Sequence, residues 1–134
     1  MKNLLRLEEV AQFLVCLAIL IGFNVEWWVY LLLLLGPDIG MLGYLINSRV
    51  GAVTYNVLHH KGLALVILLI GFFIVPYAMT DTADGISETV RLVGVILYGH
   101  ASMDRIFGYG LKYSDDFKHT HLGWIGKNFG EKKQ

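Results

Sequence analysis

The sequence predicts an all-α fold, an integral membrane four-helix bundle with its N- and C-termini in the cytoplasm, on three observations. Apolar residues fall in charge-free blocks at 10–25, 27–37 and 62–80, lengths approaching the roughly 20 residues that a helix needs to cross a bilayer. Charged residues make up only 16% of the chain, against about 25% in an ordinary soluble domain. Lysine and arginine gather at the two ends and in one central segment, the bias that holds short loops in the cytoplasm.

The first helix is expected over about residues 4–23, opening on an amphipathic turn with Arg6, Glu8 and Glu9. No small-residue cleavage pattern follows its apolar stretch, so the segment reads as a retained helix. After a tight turn at 24–26, the second helix spans about 27–47 and starts with Trp27, Trp28 and Tyr30, aromatic residues that suit the headgroup level. Gly36-Pro37-Asp38 interrupts it, because proline lacks an N–H and clashes in a helix interior.

The third helix is expected over about 50–77, its polar start carrying Arg49, Tyr55, Asn56, His59, His60 and Lys61. The i, i+4 pairs Tyr55/His59 and Asn56/His60 favour helix there. An acidic turn at 80–87 leads to the fourth helix, about 88–111, with a polar tail at 112–134. Arg91, His100, Asp104 and Arg105 make the fourth helix the least apolar, so that side should face the bundle interior. Lys2 and Arg6, then Arg49 and Lys61, then Lys112, Lys118, Lys127, Lys132 and Lys133 fall on one side of this topology, and Glu26, Asp81 and Asp84 on the other. Residues 1–134 form a single domain.

The balance of charge, 11 basic against 11 acidic residues, gives no basic patch for nucleic acid. Cys16 stands alone and reads as a small buried hydrophobe. Gly36, Gly40 and Gly43 lie near one helical stripe, as do Gly108 and Gly110, and small residues let membrane helices approach closely. Gly123, Gly126 and Gly130 lack the context of a phosphate loop.

Ionisable groups inside a bilayer cost about 2.5–3.5 kcal/mol each at the helix centre, so those that occur need a reason. At about 1.5 Å of rise per residue, Asp38 lies about 17 Å and His100 about 18 Å from the outer ends of their helices. The depths match, and Asp104 follows one turn nearer the cytoplasm, where His59, His60, His119 and His121 also fall. His100 and Asp104 share one face at i, i+4, a spacing that lets both reach one ion or lets the carboxylate orient the imidazole. Imidazole with carboxylate suits zinc, iron or manganese, and such a metal generates hydroxide near neutral pH. Asp38, His59, His60, His100, Asp104, His119 and His121 are therefore the candidate ligands of a divalent transition metal, with His100, Asp104 and His59 the candidate catalytic groups.

Structural readings stand beside each. Asp38 can serve the backbone freed by the Gly-Pro break, His100 and Asp104 can be a buried hydrogen-bonded pair, Asp104 and Arg105 can fix helix packing, His59, His60 and Lys61 can touch lipid phosphates, and His119 and His121 can be exposed.

Three blocks, GPDIGMLGYLINSRVGAVTYNVLHHKG from Gly36, YGHASMDRIFGYGLKY from Tyr98 and FKHTHLGWIGK from Phe117, resemble the small bacterial membrane proteins of the domain of unknown function 4260 family. The resemblance covers nearly the whole chain and implies a bacterial inner-membrane protein with several spans. It implies no activity. A second likeness, the Pro-Asp start followed by histidines near apolar helices, is to small inner-membrane proteins labelled metal-dependent hydrolases. This chain has Thr-His-Leu at 120–122 where those carry Thr-His-Ser.

These readings converge on a cytoplasm-facing metal site acting on a lipid or lipid-linked substrate, with membrane lipids as surroundings. The alternatives are a permeation or proton-linked module using Asp38, His100 and Asp104, which would need a homo-oligomer to form a shared path, a packing subunit of a membrane complex, and a haem site.

Overall fold

The computed structural model describes residues 1–74 and 83–126. Helix α1 is Lys2–Gly22 and α2 is Trp27–Leu35, which runs into a 3-10 helix over Gly36–Leu45. Helix α3, Ser48–His59, is followed by α4, Lys61–Leu69, which ends in a π turn at Ile70–Ile74, and α5 is Ala83–Phe107. The tail forms one antiparallel ribbon, β1 (His119–Thr120) with β2 (Gly123–Trp124). The expected helix end near Pro76 and the start of the acidic turn at Thr80 lie outside the described residues, as do residues 127–134; the rest of that expected turn, 83–87, is instead the first part of α5, which ends at Phe107 and not near 111.

Local chemistry sets each boundary. Asn24 takes a positive φ of 50° after α1, a conformation that asparagine tolerates better than most residues. The Asn47 side chain accepts from the Val50 N–H at 2.8 Å and so caps α3. The long third helix of the sequence reading breaks at His60, whose backbone is extended (φ −86°, ψ 105°) and whose side chain accepts from the Leu63 N–H to start α4.

Pro37 has the largest consequence. Without an N–H it cannot donate to the carbonyl of Leu33, and the chain tightens into ten residues of 3-10 helix, far beyond the usual run of 3–4. This helix folds back on α3 through Gly40 and Gly43, and the Thr54 hydroxyl donates to the Gly40 carbonyl at 2.6 Å. A Cβ on Gly40 would meet the Thr54 carbonyl oxygen at 2.8 Å and Tyr55 Cα at 3.0 Å. Both are backbone atoms that cannot swing aside, so Gly40→Ala should destabilise the protein by about 1–3 kcal/mol. Thermal unfolding in detergent checks this against Gly22→Ala, which meets nothing within 4 Å and should unfold like the parent.

The buried apolar core is small: Cys16 and Leu20 of α1 pack with Val29 and Leu33 of α2 and Val95 of α5. Gly99 brings α5 against Cys16 and Leu33. Beside this core Glu9 of α1 pairs with Lys61 and Arg105, and Gln12 accepts from the Tyr98 hydroxyl at 3.0 Å. Many large apolar residues face outward, among them Leu14, Trp27, Leu35, Ile39, Leu45 and Phe73.

One helical stretch among the described residues, Trp27–Leu45, is long and apolar enough to cross a membrane; the bent pair Ser48–His59 and Lys61–Phe73, at 46°, would make a second if counted as one span. Its α-helical and 3-10 parts together extend about 33 Å, close to a hydrocarbon core of about 30 Å. Helices α1 and α5 fall short because Arg6, Glu8 and Glu9 sit near the start of one, and Glu88, Arg91, Asp104 and Arg105 on the other.

Candidate metal centre

Three segments carry four side chains to one point. Asp38 comes from the first turn of the 3-10 helix, His59 from the last residue of α3, and His100 and Asp104 from successive turns of α5. One ligand atom from each lies within 4.8 Å of all the others. His59 Nε2 is 3.5 Å from Asp38 Oδ1 and 3.3 Å from Asp104 Oδ2. His100 Nε2 is 3.3 Å from Asp38 Oδ1 and 3.8 Å from Asp104 Oδ1. Metal–nitrogen and metal–oxygen bonds of about 2.0–2.2 Å put tetrahedral ligands about 3.3–3.5 Å apart, so these spacings suit four ligands of one small cation.

Each imidazole is held by its other nitrogen. His100 Nδ1 is 2.9 Å from the Leu33 carbonyl, the acceptor to which Pro37 cannot donate. His59 Nδ1 is 2.8 Å from the Tyr55 carbonyl, and the His59 ring stacks on Tyr55 at 3.7 Å. A carbonyl only accepts, so both Nδ1 atoms carry a proton, and each Nε2 is turned to the carboxylates, where a neutral ring presents a lone pair and a doubly protonated ring an N–H. Two lone pairs facing two carboxylates repel unless a cation or added protons lie between them. His59 Nε2 is buried without a hydrogen-bond partner among the described residues. The Tyr55 hydroxyl donates to Asp104 Oδ2 at 2.5 Å, which orients that carboxylate as the carbonyls orient the rings. Nitrogen and carboxylate oxygen in equal number suit zinc, iron or manganese.

A family model described as Domain of unknown function (DUF4260) matches residues 2–125, which includes all four of these residues. The chain belongs to the DUF4260 family. No curated protein and no solved structure matches it.

The DUF4260 chain places the other candidate ligands elsewhere. His60 is exposed and its Nδ1 accepts from Leu63 N–H at 3.1 Å, because the chain turns out of helix between His59 and His60. His119 Nδ1 lies 2.7 Å from Asp115 Oδ2, and its ring stacks on Trp124 at 4.6 Å. That hydrogen bond holds the Asp115 carboxyl below the usual carboxylate range. His121 Nδ1 accepts from the Leu111 N–H at 2.8 Å, and burial pulls its imidazole below the ordinary value. These three histidines fasten a helix end and the tail ribbon. Arg105 turns away from Asp104 toward Glu9, at 3.7 Å. The backbone freed by the Gly-Pro break is served by His100, which leaves the Asp38 carboxylate to face the cluster.

Tyr55 and the Leu33 carbonyl complete the DUF4260 site, and sequence reasoning did not assign either to it. Both had a signal: Tyr55 stands four residues before His59 on the same helical face, and Leu33 stands four before Pro37, where a proline frees a carbonyl.

Proposed function

We propose that this DUF4260 protein is a multi-pass protein of the bacterial inner membrane that holds one divalent transition metal on Asp38, His59, His100 and Asp104 and hydrolyses a lipid-like substrate. The observation that carries the reading is the pair of imidazoles pinned at Nδ1 to backbone carbonyls with both Nε2 atoms turned onto two carboxylates. Hydrogen-bonded pairs at this spacing would need an added proton between each ring and its carboxylate, and one bound cation takes the place of both protons.

The membrane reading is supported by the span at Trp27–Leu45 and by the outward-facing apolar residues of α1, α2 and the 3-10 helix. Apolar surface beyond a few hundred Å² is costly in water and suits lipid. The lysines and arginines of the two ends and of the 49–61 segment favour both termini in the cytoplasm.

A metal bound here supplies Lewis acidity and a water acidified to near neutral pH. The chain's own groups divide the remaining work by exposure. The side chains of His100, His59 and Asp104 are 0%, 3% and 13% exposed, while that of Asp38 is 34% exposed. The three buried groups form the fixed side of the site, and the Asp38 side is open to substrate. With one oxygen turned to the cluster as a ligand, the second oxygen of Asp38 would be the one placed to receive a proton from an attacking water.

Elemental analysis of detergent-purified protein tests the reading. We expect about one zinc, iron or manganese per chain, and removal by a chelator should lower stability by about 4 kcal/mol relative to metal at a thousandfold its Kd. Protein that is folded, metal-free and indifferent to all three ions would overturn it and turn the four side chains into a proton path or packing group.

A further inference from the structure

Two glycines of α5 seat two other helices on different faces of it. A Cβ at Gly94 would meet Leu68 Cγ at 2.6 Å and the Ala64 carbonyl oxygen at 3.0 Å, so α4 packs there, and a Cβ at Gly99 would meet Cys16 Cβ at 3.0 Å, so α1 packs there. Five helical residues turn through about 500°, which sets the two seats about 140° apart around α5. Between them runs a groove of about 340 Å³, floored by Val95 and Tyr98 and walled by Val15, Ile19, Leu65 and Leu68. Its lining is almost wholly apolar, and Val15, Ile19 and Leu65 stand exposed along it.

One end of the groove is ionic. Lys61, at the start of α4, donates to Glu9 and, at 2.5 Å, to Gln12 Oε1 of α1, and its ammonium lies 5.0 Å from the centroid of the Tyr98 ring. Arg105 Nη1 is 3.7 Å from Glu9 Oε1, too far for a hydrogen bond, so its guanidinium fork is left with donors to place. Two cations share one carboxylate, and one positive charge is left over. Asp104 does not cancel it, because that side chain is turned to the four-residue cluster on the other side of α5. The exposed Arg6 and Glu8 of α1 offset each other.

We propose that this groove holds one acyl chain of an anionic phospholipid of the cytoplasmic leaflet, with the headgroup phosphate on Arg105. The inference rests on the membrane reading and is independent of the metal. From Ala11 to Ile19 the groove is about 12 Å long, close to the roughly 15 Å of hydrocarbon in one leaflet. Its ionic end lies on the side of the lysines and arginines that favour the cytoplasm, at the level of that leaflet's phosphates. Spread over its length, the volume gives a section of about 28 Å², about a third of that of a helix body about 10 Å across. A helix of a second copy therefore does not enter, and an extended peptide would bring unsatisfied backbone groups into an apolar slot. An alkyl chain has neither difficulty, and a phosphate suits the guanidinium fork. Tyr98 and His100 point about 200° apart on α5, so this lipid is held away from the metal centre and is not the one hydrolysed there.

The test titrates the full chain in neutral detergent with phosphatidylglycerol or phosphatidylcholine of identical chains and reads the unfolding temperature. Phosphatidylglycerol should raise it saturably and bind about fivefold or more tightly than phosphatidylcholine. Arg105→Gln should bring phosphatidylglycerol down to the level of phosphatidylcholine, and Glu9→Gln, which doubles the surplus charge, should tighten phosphatidylglycerol about fivefold. Both substitutions remove the same ion pair, so the opposite signs separate headgroup binding from damage to the helix contact. Leu65→Ser should weaken both lipids about tenfold by removing apolar wall. Equal binding of the two lipids by the parent, unchanged phosphatidylglycerol binding in Arg105→Gln or Leu65→Ser, or tighter binding of dodecanoate than of phosphatidylglycerol would overturn the proposal. A parent protein that stays monodisperse without detergent and ignores both lipids would instead remove the membrane reading beneath it.

Discussion

His59→Ala should strip the proposed metal from the protein, and His60→Ala, one residue along, should leave it in place. Structural metal sites of four ligands bind with about 10–16 kcal/mol, or about 3 kcal/mol per ligand, so losing one should weaken binding by about two to three orders of magnitude. His59 supplies a buried Nε2 at 3.3 and 3.5 Å from the two carboxylates. His60 supplies only the cap of α4, and its loss should cost about 1 kcal/mol of stability with no change in metal. Metal per chain after dialysis against a buffered chelator reads the first effect and thermal unfolding the second. The pair separates ligand loss from helix damage, because both substitutions fall at the same helix junction. Equal retention of metal by the two variants would remove His59 from the site.

Why the two histidines differ shows where sequence reading runs out. Successive helical residues differ by about 100° in direction, so a continuous third helix could turn either one inward. The direction is decided by the break after His59, and that break leaves no proline or glycine between His59 and Lys61 to announce it. Elsewhere the sequence was more explicit. Four apolar segments separated by polar turns indicate helices, and the Gly36-Pro37 interruption indicates a change of helical form. The i, i+4 pair His100 and Asp104 indicates a shared face, and the depth argument sets Asp38 level with His100, which the structure brings within 3.3 Å.

The tail and the spans were less readable for a physical reason. His119 and His121 are typical ligand residues, and only tertiary contacts with Asp115, Trp124 and the Leu111 N–H show what they do. Lys112 looked like one of several cytoplasmic lysines, because its burial depends on Asn56, 56 positions earlier. The three charge-free blocks and the more polar helix expected after them suggest four spans. The actual helix bounds join charged turns to the apolar stretches of α1 and α5, which among the described residues leaves Trp27–Leu45, and the bent α3–α4 pair if it is counted as one span, as the stretches apolar enough to cross.

Pro37→Ala should make the chain a better helix and a worse metal site. Alanine restores an N–H four residues after Leu33, where it can donate to the carbonyl now taken by His100 Nδ1 at 2.9 Å. Removing proline from a helical stretch stabilises it by up to about 3 kcal/mol, so the metal-free variant should unfold at or above the parent's temperature. The same change loosens the site in two ways. His100 loses exclusive use of the acceptor that fixes its tautomer, and Asp38, the next residue, changes direction as the 3-10 turn of about 120° per residue relaxes toward the α value of about 100°. Loss of such an outer partner weakens metal binding by about 10- to 100-fold. A competition titration against a chromogenic chelator measures the affinity, and unfolding of the chelated protein measures the helix. The opposite signs are the informative part, since general damage would lower both. Metal affinity within about threefold of the parent would show that Leu33 and Pro37 do not position His100 for the ion.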